Sequence, residues 1–369
     1  MDDPVAGSQT GTHVEVLETA AEWRAADVAD ESVWTEVFGP AELEEIDGAL
    51  RHALAKSRDV LEISRGDFPL PTLRPRLEKI EDELINGRGF VRLRGIDRGR
   101  YSREEMEMIY WGIGMHLGDP WPQNQYGHVL GDVTDQGVDP ASPESRGNEI
   151  GAVALPYHSD GSDLVGLLCL QRPRSGGLST VANALAIHND LVRESPELAA
   201  ALYEPMPYDF RGAEPKGARR WYEMPVFTNW KGRLFVRYIR PYILASQRFE
   251  DAPRIPELAE RAMRRIDEMT QDPDYNVFME LLPGDIQFIN NYHVLHARTA
   301  YEDDRAAGLV RHLKRLWLAT DILEDRPPHF QRNLSSEWEK ARSVSRIEIG
   351  KAIDGGSRVG AIAEPAEAG

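Results

Sequence analysis

A chain of 369 residues in which 41% are hydrophobic, with 8 Trp, 12 Tyr and 10 Phe, can fill a sizeable core, and this length suits two average domains or one embellished sandwich or barrel. The formal charge of −18 argues against a nucleic-acid partner or an anionic membrane, since both are held mainly through Lys and Arg. Residues 1–60 hold 14 Asp and Glu against 4 Lys and Arg, a net −10, so the acidic excess belongs to the N-terminal segment and reads as a solvated face.

The single cysteine, Cys169, lies in an apolar run and reads as a small buried hydrophobe; no intramolecular disulfide can form. No stretch of 18 apolar residues occurs, and the Met-Asp-Asp-Pro start lacks the basic and apolar parts of a signal peptide, so a cytoplasmic setting is expected. The expectation at this point is a single globular domain, residues 1–369, with homo-oligomerisation open.

Residues 1–13 and 352–369 are small and polar and read as frayed tails, the second as a flexible tail. Leu43, Ile46, Leu50 and Leu54 recur at three and four between Pro40 and Ser57, the spacing of an amphipathic helix, with His52 on its wet side. Residues 14–87 thus form an acidic, mainly helical extension. Gly87 to Gly95 alternates apolar with basic residues, which predicts a half-buried strand. Ser102-Arg103-Glu104-Glu105 matches a capping box and opens a helix through Met106, Ile109, Tyr110 and Ile113, with His116 near its end.

From Asp119 to Gly151 the chain is rich in Pro, Gly, Asn and Asp, with one strand-like piece at 126–133; a loop this long beside a site often forms a lid. A buried strand follows at 164–170, then a Gly-rich turn at 172–179 and a helical stretch from Asn183 to Leu202 carrying His188. Lys231-Gly232-Arg233 turns a hairpin between Val226 and Tyr238. A helix over 256–271 comes next, then two strands at 277–282 and 286–289 around Pro283-Gly284-Asp285, expected to close a sheet. The strand 313–318 ends the apparent core. Helices mixed with many short strands fit an α+β fold, a double-stranded β-helix (jelly roll) braced by helices.

Chemistry concentrates at Tyr157-His158-Ser159-Asp160. On an extended strand residues two apart share a face, so His158 and Asp160 can present an imidazole and a carboxylate to one metal ion. A second histidine completes the two-His, one-carboxylate face that suits non-haem Fe(II) and leaves positions open. His293 and His296 compete for that place; being three apart, they face opposite sides of a strand.

With the Gly176-Gly177-Leu178-Ser179 turn, Leu282-Pro283-Gly284-Asp285, His296-Ala297-Arg298, Arg311 and Arg315 in this order, the sequence resembles the taurine dioxygenase (TauD/TfdA) family of Fe(II)- and 2-oxoglutarate-dependent oxygenases over residues 88–320, the expected catalytic core. The resemblance selects His296 over His293 as the distal ligand, because His-x-Arg followed by Tyr301 matches the family's motif. It also implies that Arg311 grips the far carboxylate of 2-oxoglutarate, with Ser179 or its neighbour Thr180 assisting. It implies O2 as co-substrate as well, with succinate and CO2 released. The presence of Asp160 points to hydrogen abstraction leading to hydroxylation, desaturation or cyclisation, since halogenating relatives lack this carboxylate. Arg315, four past Arg311 on one strand, is expected to hold an anionic group of a small, amino-acid-like or carboxylate-bearing substrate, with Tyr157 and Arg240 as further lining. The other readings are a Zn(II) hydrolase or lyase on the same three residues and a non-catalytic 2-oxoglutarate-binding module.

Overall fold

The computed structural model describes residues 14–124, 128–143, 145–214, 218–323, 325–327 and 330; the expected tails, and Tyr126 at the start of the expected strand piece, lie outside them. Two sheets face each other, each with helices on its outer side. The larger runs β1 (Thr35–Val37), β2 (Phe90–Arg94), β14 (Ile286–Asn290), β6 (Leu164–Gln171), β17 (His312–Ala319) and β3 (Asp119–Pro120), with β4 (Leu130–Val133) also paired to β17. The smaller has the order β13 (Asn276–Met279), β8 (Ser179–Asn183), β15 (Val294–Arg298) and β5 (Leu155–His158). All these pairings are antiparallel except β1 with β2.

Strand alternation divides the apolar residues among three layers. Between the sheets lie Phe90, Val165, Cys169, Val181, Met279, Ile289, Val294 and Trp317. The outer face of the larger sheet packs Leu168, Phe288 and Leu316 against α1 (Pro40–Lys56), α2 (Arg74–Asn86) and α3 (Arg103–Met115). The outer face of the smaller one packs Tyr157, Ala182 and Leu295 against α4 (Ala184–Glu194), α5 (Pro196–Ala201) and α7 (Glu257–Gln271). Residues 14–37 join both layers. Leu17 and Ala21 pack with the second helical layer, Trp23 and Trp34 against Phe90 between the sheets.

Helix α1 buries Ile46 and Leu50 and leaves His52 exposed, as its period requires. The capping box forms: Ser102 Oγ accepts from the Glu105 N–H at 3.2 Å, and Glu105 accepts from the Ser102 N–H at 2.8 Å. Ser102→Ala should therefore lower stability by about 1 kcal/mol in urea titration; an unchanged midpoint would mean that packing alone holds the helix start. The hairpin also forms, from β11 (Phe227–Trp230) and β12 (Arg233–Val236). Its two-residue turn has φ of 53° at Lys231 and 81° at Gly232, the left-handed pair whose twist matches the strands.

Two expectations change, and one stretch that the sequence leaves unassigned proves to be a strand. β2 is buried along most of its length, because it lies between β1 and β14; Arg92 is accommodated by Glu31 at 2.6 Å and by the Trp34 ring. The strands either side of Pro283-Gly284-Asp285 fall in different sheets, so the turn carries the chain across the sandwich. The chain between the Gly-rich turn and α4 is the strand β8, central in its sheet. Cys169 is buried, within 3.4 Å of the Leu281 carbonyl, and burial pushes its thiol up to about 12.

Candidate active site

His158 and His296 are direct register partners of β5 and β15, with ring centroids 4.3 Å apart. Opposed residues of an antiparallel pair share a face, so pairing alone brings the two imidazoles together. Asp160 reaches them differently from expectation. β5 stops at His158, and the next residues turn: the Ser159 N–H donates to the Tyr238 carbonyl at 2.8 Å and the Asp160 N–H to Asn291 Oδ1 at 3.0 Å. Asn291 in turn donates to the Ser162 carbonyl, which clamps the turn from both ends. Ligand atoms of His158, Asp160 and His296 then lie within 4.8 Å of one another, and they are the one such group among the described residues.

The donor set suits a divalent iron. His158 Nδ1–H donates to the Pro156 carbonyl at 2.9 Å, leaving Nε2 with a free lone pair. His296 Nε2 is 3.8 Å from Asp160 Oδ2, while its buried Nδ1 has no hydrogen-bond partner among the described residues. Burial pushes both imidazoles toward the neutral form, His296 to about 3. Burial would raise the Asp160 carboxyl, but the Arg315 charge and the Trp317 N–H hold it down at about 2. Two neutral imidazoles and one carboxylate are the result. His293 precedes β15 and is buried, its ring Nδ1 3.5 Å from the Asn290 side-chain amide.

A cavity of about 650 Å³ opens onto these three residues, a volume that suits a small molecule. The expected lid segment contributes Pro140, Ser145–Asn148 and Ile150 to its wall. Arg298 and Arg311, both buried, line the same cavity. Arg298 donates to the carbonyls of Ile150 and Val153 at 3.2 and 2.7 Å, yet its Nε and Nη1 have no partner among the described residues. Arg311 Nη1 is likewise without one; its guanidinium lies 5.4 Å from the Tyr301 ring centroid. Burial and the nearby Arg298 push Arg311 down to about 10. Two desolvated like charges with unmet donors are costly, and an anion placed between them removes the cost. Gly177 makes room: its φ is 69°, and a Cβ there would come within 3.1 Å of Arg311 Cδ.

The structure separates the remaining candidates. Ser179 pairs with Arg298 across the strands and so shares its inward face, where its hydroxyl donates to Gln287 at 2.8 Å. Thr180 faces outward and donates to the Tyr157 hydroxyl. Tyr157 itself packs in the outer layer, because it alternates with His158; it does not line the cavity. Arg240 is also away from the cavity, paired with Asp267 at 2.6 Å at the start of α6 (Arg240–Ser246). Arg315 does line it, donating to Gln123 Oε1 at 2.8 Å and to Asp160 Oδ2 at 3.4 Å. Three lining arginines, Arg146, Arg211 and Arg237, escape sequence reasoning, since nothing in their neighbourhoods marks them from surface cations.

Residues 54–317 match the taurine catabolism dioxygenase TauD, TfdA family. The chain belongs to that family. As a TauD/TfdA member it is an Fe(II)- and 2-oxoglutarate-dependent dioxygenase with O2 as co-substrate. It is 31% identical over 299 residues to FR-33289 synthase of Streptomyces rubellomurinus (strain ATCC 31215), covering 80% of this chain and 88% of that one. It is 28% identical over 288 residues to the taurine hydroxylase-like protein SAT17 of Stachybotrys chartarum (strain CBS 109288 / IBT 7711), covering 75% and 73%. The TauD/TfdA chain also shares its fold with an asparagine oxygenase solved with Fe(II), 2S,3S-3-hydroxyasparagine and succinate (TM-score 0.59, 21% identity, 77% and 93% covered). The oxygenase OrfP, solved with Fe, succinate and (3S)-hydroxy-L-Arg, is similar in fold too (TM-score 0.58, 19% identity, 82% and 99% covered). Among the described residues no helix is long and apolar enough to cross a membrane.

Proposed function

We propose that this dioxygenase hydroxylates a small, amino-acid-like or carboxylate-bearing molecule, with His158, Asp160 and His296 as its iron ligands and Arg311 as the anchor of 2-oxoglutarate. The observation that carries this reading is the conjunction in one cavity of a neutral-imidazole and carboxylate group with two buried, under-satisfied arginines. The substrates and products named with asparagine oxygenase and OrfP are amino acids, which supports the substrate class. The two facing sheets fit a double-stranded β-helix in which residues 88–320 form the core and 14–87 an extension bound into the same domain.

Iron held by His158, Asp160 and His296 would, with 2-oxoglutarate and O2, supply the oxidising power for hydrogen abstraction, with succinate and CO2 as co-products. The chain's part is placement. Trp317 Nε1 donates to Asp160 Oδ2 at 3.0 Å and fixes the carboxylate's rotation; the Pro156 carbonyl fixes the His158 ring. Arg311 receives the far carboxylate of the co-substrate through charge-assisted hydrogen bonds, and Ser179, which shares the inward face of Arg298, assists. Thr180, on the outer face, takes no part. Arg315 stands between Asp160 and the open cavity, where its remaining N–H groups can receive an anionic group of the substrate. A Zn(II) hydrolase would leave Arg298 and Arg311 without a task.

Anaerobic addition of Fe(II) and then 2-oxoglutarate should produce a weak visible charge-transfer band, and admitting O2 together with substrate should then release succinate in step with oxidised product. Comparing that substrate with its amide or ester tests Arg315. Equal binding of the neutralised compound, or an Arg315→Met effect confined to stability, would remove the anchor role.

A further inference from the structure

The charge of the cavity wall exceeds what iron and 2-oxoglutarate require. Beyond Arg298, Arg311 and Arg315, the wall carries Arg146, Arg211 and Arg237, and none of these three has a carboxylate partner among the described residues. The acids nearby are engaged elsewhere. Asp163 is held by Arg326 and accepts from the Tyr292 hydroxyl at 2.6 Å, and Asp209 faces Arg248 at 3.0 Å. Asp160 belongs to the metal group, and Glu223 is exposed.

Arg237 occupies the central position. Its Nη1 donates at 3.1 Å to the carbonyl of Ser159, the residue between His158 and Asp160, and its Nη2 reaches the Tyr222 hydroxyl at 3.4 Å. A guanidinium has five N–H donors, so these two neutral contacts leave three unassigned. The strand β12 and the stacked Tyr208 and Tyr222 rings, 5.3 Å apart, hold its base, with the Tyr208 hydroxyl donating to the Arg237 carbonyl at 2.5 Å. Arg211 is fixed by the carbonyls of Pro143 and Pro241 at 3.0 and 3.3 Å and lies 4.8 Å from the Tyr242 ring centroid. Half-buried arginines pre-oriented by neutral partners favour an anion with several acceptor oxygens.

We propose that Arg237 grips an oxyanionic group of the substrate, a carboxylate or a tetrahedral phosphate- or sulfonate-type group, with Tyr222 beside it and Arg211 and Arg146 adding positive charge. This rests on the dioxygenase reading above and narrows its substrate to small acids anchored independently of Arg315.

The test uses the full-length protein loaded anaerobically with Fe(II) and 2-oxoglutarate, titrated with inorganic phosphate and with acetate by calorimetry. The wild type should bind at least one of them. Arg237→Met should weaken that binding about tenfold or more, and Arg237→Lys should recover part of it. Affinity for 2-oxoglutarate and the charge-transfer band should persist in both. Arg211→Met should weaken the anion two- to fivefold by the same charge argument, roughly as expected for a more distant cation, and serves if Arg237→Met fails to fold. Preference for phosphate assigns a tetrahedral dianion, and equal binding of acetate a carboxylate. The proposal is overturned if neither anion binds the wild type, or if Arg237→Met binds as the wild type does while Arg315→Met does not. Loss of the band in the wild type is a different result and sinks the dioxygenase reading itself.

Discussion

His296→Ala should abolish turnover and reduce iron binding below what stoichiometric Fe(II) can fill, while the folded protein persists. The imidazole is one of three donor side chains, and its Nε2 lies 3.8 Å from Asp160 Oδ2. Changing even an outer partner of a ligand commonly costs about 10- to 100-fold in metal affinity, and removing a donor costs more. His158→Ala and Asp160→Ala should behave alike. His293→Ala is the control: its ring is buried away from the group, so the variant should lose stability through the space left behind yet keep its iron. Iron retained in His296→Ala and lost in His293→Ala would reverse the assignment of the distal ligand.

Arg311→Met should raise the 2-oxoglutarate concentration needed for half-maximal turnover by about 10- to 100-fold, the loss expected for a charge-assisted pair, with Fe(II) affinity spared. The same change should act oppositely on the empty protein. Burial and Arg298 push Arg311 downward to about 10, which means folding disfavours its charged form. A cation whose folded pKa lies below its unfolded one costs stability wherever it is charged, from acid up to the folded pKa. Methionine removes that cost, so the apo variant should melt no lower than the wild type and lose the stabilisation that 2-oxoglutarate confers. A lower apo melting temperature with unchanged co-substrate affinity would make Arg311 a structural residue.

The helices and the hairpin are legible in the sequence, for local reasons. A capping box, a two-residue turn with glycine and an apolar stripe each act over a few residues, and Ser102, Gly232 and α1 behave as their patterns require. His158 and His296 were legible only through ordered motifs, because their adjacency is created by pairing of β5 and β15 across 138 residues of chain. Asp160 comes beside the two imidazoles in another conformation than the expected extended strand: a turn clamped by Asn291 delivers it, and that partner lies 131 positions away. Tyr157 could have been excluded from sequence, since alternation with His158 puts it on the other face. Arg237 could not, since its contacts with Ser159 and Tyr222 depend on how a separate hairpin docks.

An oxygen-activating enzyme is exposed to its own stray oxidant, and the position of Cys169 bears on that hazard. The chain's single thiol is enclosed between the sheets, held in the unreactive protonated form, and within 3.4 Å of the Leu281 carbonyl. Oxidation to sulfenic acid needs thiolate and access, and this sulfur has neither. No thiol reductant is therefore required to keep the folded chain free of covalent dimers.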